Sequence, residues 1–161
     1  MVIMDYYASS ITNGEGVRQV WFTAGCPHHC VGCQNPQTWE ISNGKFISND
    51  RIAQISIENP FNVTFSGGDP LYQWDDLKDI CKRIKPYKNI WIYTGYTWES
   101  IIKRIDYKSL LDNVDIIVDG RFVKKLADSH LQFRGSSNQR VIDVKRSLNE
   151  GRVVIWENLK R

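Results

Sequence analysis

The sequence predicts an α/β fold with a mainly parallel sheet. Strand-like runs alternate with helical stretches along most of the chain, the pattern of βα units. Glycine and acidic residues close four of those runs, and the chain's most reactive motif, Cys26-Pro-His-His-Cys30-Val-Gly-Cys33, follows directly from the first of the four. In parallel sheets ligands collect at the carboxyl ends of the strands, so motif position and topology agree.

Taken in order, Asn13-Gly-Glu-Gly-Val-Arg18 reads as a turn that leads into a strand at Gln19–Ala24. Residues 49–58 fit neither period cleanly and are assigned to a helix. Asn62–Ser66 is a short strand of buried type running into Gly67-Gly68-Asp69-Pro70. The clearest helix spans Trp74–Lys85: Leu77, Ile80, Cys81 and Ile84 make one apolar stripe, acids occupy its first turn and bases its last, and Pro86 stops it. Asn89–Thr94 is the next strand, closed by Gly95. A helix from Thr97 to Ile105 follows, with Ile101, Ile102 and Ile105 expected to face inward. Val114–Val118 is a strand ending at Asp119-Gly120. The tail offers strands near Val141–Val144 and Val153–Trp156, joined by a turn at Asn149–Gly151.

Length and composition restrict the possibilities. The 161 residues suit a single domain, 1–161, and 42% hydrophobic with 24% charged residues is ordinary for a soluble globular protein. The net charge of +3 has no concentrated basic run, which argues against nucleic acid as partner. No apolar run is long enough to span a bilayer and no signal peptide is evident, so a cytoplasmic location without membrane association is expected. Thiols stay reduced in that compartment, which favours ligation over disulfides.

Three of the four cysteines stand within eight residues, at the spacing C-x3-C-x2-C. Soft thiolates select zinc, copper(I) or iron–sulfur clusters. Structural zinc usually closes with four protein ligands, and a cubane cluster usually takes four cysteines. Three thiolates therefore point to a cluster with one iron left open to another ligand, and so to an enzyme. A zinc knot completed by His28, His29 or a distant residue is the competing reading. Cys81, on the apolar stripe, reads as a core thiol.

These motifs together resemble the radical S-adenosylmethionine superfamily and, within it, the glycyl-radical activases that serve anaerobic ribonucleoside-triphosphate reductases. The resemblance runs from Asn13 to about Val141. It rests on the cysteine loop, Asn13-Gly-Glu-Gly-Val-Arg18, Cys33-Gln-Asn35, Ser66-Gly-Gly-Asp-Pro70, Asp119-Gly-Arg-Phe122 and Arg134-Gly-Ser-Ser-Asn-Gln139. It implies an abbreviated, partial radical-SAM-type βα barrel. It also implies a 4Fe-4S cluster on Cys26, Cys30 and Cys33 whose open iron chelates S-adenosylmethionine. The resulting 5′-deoxyadenosyl radical removes a glycine α-hydrogen from the large reductase subunit. A flavodoxin-like or other one-electron donor is implied too, and a homodimer is compatible.

Carried onto this chain, the resemblance has Gly67 and Gly68 admit the methionine moiety and Asp69 accept a hydrogen bond from its ammonium group. Gly32, Cys33 and Gln34 fall on the adenine side, and Thr94 and Asp119 are candidates for ribose or methionine contacts. Two positions depart from the wider superfamily: Gly32 stands where an aromatic residue is usual, and Asp69 where Glu is more frequent. Both variants are usual in the reductase-activase branch. A small metabolite-processing radical enzyme and a non-catalytic zinc module are the alternative functions.

Overall fold

The computed structural model describes residues 1–158. Strands β1 (Val2–Ser10), β2 (Arg18–Thr23), β3 (Lys45–Phe46), β4 (Asn62–Gly67), β5 (Ile90–Tyr93), β6 (Ile116–Asp119) and β7 (Arg140–Asp143) form a sheet in the spatial order β3-β1-β2-β4-β5-β6-β7. β2, β4, β5 and β6 run parallel, while β1 and β7 flank them antiparallel. The sheet is open, with β3 and β7 at its edges, rather than closed into a ring.

Alternation along β5 shows how the two faces differ. Ile90 and Ile92 point into a large core shared with helices α1 (Asn49–Glu58) and α2 (Trp74–Ile84), while Trp91 and Tyr93 belong to a smaller cluster on the opposite face. The α2 stripe is as expected: Trp74, Leu77, Ile80, Cys81 and Ile84 are all buried. α1 is set by its cap, since the Ser48 side chain accepts from the Arg51 amide at 3.3 Å. On the second face Trp91, Phe133 and Trp156 pack edge to face, with centroids 5.3 Å and 5.2 Å from Trp91.

Three expectations are corrected. The helix from Thr97 does start there, with Thr97 as cap, but α3 (Trp98–Ile101) ends after one turn. A separate α4 (Tyr107–Leu111) follows. Only Ile101 of the three isoleucines faces inward; Ile105 is fully exposed. The tail is not a hairpin of two strands. After β7 the Asp143 carboxylate accepts from the Arg146 amide at 2.9 Å and nucleates α5 (Val144–Glu150), which Gly151 ends in a left-handed conformation at φ 65°. The second tail segment keeps one bridge, Ile142 to Ile155. Finally, β1 precedes the first expected strand and pairs along β2 with two register shifts, irregularities that blur its alternation.

Arg18 illustrates how far tertiary structure can override a local reading. Read in the sequence as the last residue of a turn, it is 1% exposed; its Nε donates to Thr64 Oγ1 at 2.7 Å and its Nη2 to the carbonyls of Val63 and Asn89. Burial holds its pKa down to about 10. It closes the amino-terminal end of the parallel strands beside Trp91, whose ring centroid lies 5.2 Å from the guanidinium carbon.

Candidate functional site

The cysteine loop leaves β2 at the carboxyl rim and is stitched to its neighbours by backbone. Gly25 N donates to Thr38 O at 2.8 Å and Cys26 N to Trp39 O at 2.9 Å; Gly68 N donates to Thr23 O at 2.9 Å and Asp69 N to Gly25 O at 2.8 Å. These contacts demand glycines. A Cβ on Gly67, at φ 104°, would stand 2.5 Å from the Thr23 amide nitrogen, and one on Gly68 would stand 2.4 Å from the Gly25 carbonyl oxygen. All three loop cysteines are free and half-buried. Burial pushes the Cys26 thiol up, while the backbone N–H groups of His28 and His29 pull it down.

Cys26, Cys30 and Cys33 line one cavity of about 360 Å³. Its floor comes from the ends of β4 and β5, through Gly67, Gly68, Tyr93, Thr94 and Gly95, and its far wall from residues 120–139, through Phe122, Phe133 and Arg134. Among the described residues, four buried side-chain polar atoms lack a hydrogen-bond partner: His28 Nδ1, Trp39 Nε1, Tyr93 Oη and Arg134 Nε. All four residues line this cavity. Buried polar groups are ordinarily satisfied, so four orphans around one space mark it as built to receive a polar ligand.

The expected site residues divide into two groups. Gln34, Cys33, Gly67, Gly68 and Thr94 reach the cavity wall. Asp69 lies behind it, 0% exposed. Its carboxylate accepts from Thr94 Oγ1 at 2.9 Å and 3.0 Å, from the Gly95 and Leu71 amides at 2.9 Å each, and contacts His28 Nε2 at 2.7 Å. Gly32 is exposed, and a Cβ there would meet the Lys124 side chain at 3.1 Å. Asp119 is buried and turned toward β7: Arg140 grips it through Nε at 3.0 Å and Nη2 at 2.5 Å, and the Trp98 amide donates to it at 2.7 Å. Arg140 also pairs with Glu99, lowering that carboxyl to about 2. Removing Arg140 strands a buried carboxylate, so Arg140→Ala is expected to cost about 3 kcal/mol in urea denaturation.

Comparison with known proteins decides the family. Residues 12–142 match the 4Fe-4S single cluster domain. The chain is 35% identical over 152 residues to the anaerobic ribonucleoside-triphosphate reductase-activating protein of Haemophilus influenzae, covering 86% of this chain and 96% of that one. The chain belongs to this activating-protein family. The Escherichia coli K12 member is 36% identical over 149 residues, covering 84% and 94% of the two chains. The member from Enterobacteria phage T4 is 35% identical over 144 residues, covering 84% and 89%.

The residues fit the cluster that this family's domain name specifies. Three free thiols border one cavity, and two glycines admit backbone where any Cβ would collide. Among the described residues no three His, Cys, Asp or Glu side chains converge as for a single metal ion. Tyr93 went unread as a site residue in the sequence, and His28 was read only as a zinc ligand in the competing reading. His28 joins the site through Asp69, 41 residues away, and Tyr93 through its place at the end of β5, and spacing carries no signal of either. Arg134 was visible only through its family-specific string.

Proposed function

We propose that this chain is the activase of an anaerobic ribonucleoside-triphosphate reductase, a radical S-adenosylmethionine enzyme acting on a glycine of the large reductase subunit. The observation that carries the reading is the cavity itself: three free thiols on its border and four orphaned polar atoms in its wall. The activating-protein relatives supply the partner, since their name specifies the reductase. The open sheet is read as the abbreviated barrel of that superfamily.

Cys26, Cys30 and Cys33 would hold the cluster through their thiolates, leaving one iron for the amino and carboxylate groups of S-adenosylmethionine. When bound and reduced, the cluster would supply the one electron that reductive cleavage of the S-adenosylmethionine sulfonium needs, the chemistry required to take a glycine α-hydrogen. The protein's own residues position and shield. Gly67 and Gly68 bring backbone to the methionine end, Cys33 and Gln34 border the adenine side, and Thr94 lies between them. Phe122 and Phe133 keep water from the far wall. Gly32 and Asp119 shape the rim from outside the cavity. The enzyme works in the cytoplasm as a single domain with a flavodoxin-like or comparable one-electron donor, alone or as a homodimer, without nucleic acid or membrane.

The test is anoxic reconstitution, metal analysis and label transfer. About four iron and four sulfide per chain are expected. Isotope should then pass from an α-labelled glycine of the reductase into 5′-deoxyadenosine. Zinc without sulfide, or label that stays in the glycine, overturns the proposal.

A further inference from the structure

The Asp69 carboxylate has about four acceptor sites, and protein already fills them. Thr94, Gly95, Leu71 and His28 surround it, and it has no exposure to the cavity. An ammonium group would have to displace one of these donors. His28 is the informative partner, because it stands midway between the ligand candidates Cys26 and Cys30, and the contact joins positions 41 residues apart. Its ring is 4% exposed, packs edge-on to Tyr96 at 4.6 Å, and lies so close to β5 that a Cβ on Gly95 would stand 2.3 Å from it. A carboxylate only accepts, so the contact assigns the donor role to Nε2. Glycine at 95 and a buried acid at 69 thus prepare a seat for this one imidazole.

We infer that Asp69 and His28 are positioning residues: the buried carboxylate holds the imidazole, and through it the Cys26–Cys30 arc, in the shape that grips the cluster. This rests on the reading of the three cysteines as cluster ligands. Partners that orient ligands from behind typically change metal affinity by about 10–100-fold when removed. Gly95 contributes by leaving room, and Thr94 by directing its one hydroxyl proton at the carboxylate.

The experiment compares anoxically reconstituted wild type with His28→Ala, His28→Gln, Asp69→Asn and the double variant His28→Ala/Asp69→Asn. It reads the rate of iron loss to a ferrous chelator, the electron paramagnetic resonance signal of the reduced cluster with and without S-adenosylmethionine, and the melting temperature of the apoprotein. Iron loss is expected to accelerate about tenfold or more in both His28→Ala and Asp69→Asn, and no further in the double variant. The reduced-cluster signal should shift in both, with the His28→Ala apoprotein melting close to wild type. His28→Gln, whose amide can still donate to the acid, should recover most of the retention. If Asp69→Asn does not fold, the two His28 variants decide alone. Wild-type retention and signal in His28→Ala overturn the inference. So does an Asp69→Asn protein that keeps its cluster and only loses affinity for S-adenosylmethionine, which would make the acid the ammonium acceptor. Wild-type protein that takes up no iron and sulfide defeats the proposed function itself, a separate outcome.

Discussion

Alanine at any one of positions 26, 30 or 33 is expected to abolish retention of iron and sulfide and cleavage of S-adenosylmethionine, whereas Cys81→Ala leaves both intact. The contrast follows from placement. The three loop thiols border the cavity, and two remaining ligands cannot replace a tridentate set on so short an arc. Cys81 is 0% exposed within the α2 stripe, where burial pushes its thiol far above the ordinary range. Its removal deletes one small buried group, at a cost of about 1 kcal/mol. Iron and sulfide analysis of the four variants, alongside urea denaturation, checks the prediction. Full cleavage activity in Cys30→Ala would refute the assignment.

Gly68→Ala is expected to uncouple cluster loading from folding. Its backbone is not in the left-handed region, so the whole effect comes from contact. The added methyl meets the Gly25 carbonyl oxygen at 2.4 Å and the Thr38 carbonyl oxygen at 2.9 Å, both backbone atoms that cannot rotate away. The segment carrying Cys26 must retreat, lengthening the 2.8 Å bonds from Asp69 N to Gly25 O and from Gly25 N to Thr38 O. Overpacking of this kind costs about 1–3 kcal/mol. Gly16→Ala is the control: at φ 74° it is strained by about 1 kcal/mol, yet a Cβ there meets nothing within 4 Å. Both variants should lower the unfolding midpoint, and Gly68→Ala alone should lose iron. Equal iron content in the two would show that the crowded approach has no bearing on the loop.

Much of the architecture was legible because it is written in local periodicity. The α2 stripe, its charged ends and Pro86 define a helix without help from the rest of the chain, and the run from Gln19 reads as a strand from β-branched and aromatic residues. Strands β4 and β5 announce themselves by the glycines that follow. What could not be read depended on distant partners. Val144–Glu150 holds too few apolar residues to separate a helix from a turn, and the Asp143 cap settles it. Ile102 and Ile105 match a helical period, but α3 stops before the period matters. The cysteine trio was legible at the site because its chemistry is carried by spacing. The Asp69–His28 contact was not, because sheet register brings the two together across 41 positions.

The trio Trp91, Phe133 and Trp156 partitions the space between the two ends of the parallel strands. Phe133 borders the cysteine-lined cavity, while Trp91 and Trp156 border a second hollow at the Arg18 end, so the three rings stand as a bulkhead between the two. A ligand seated at the thiols is therefore walled off by aromatic rings from the Arg18 end of the strands.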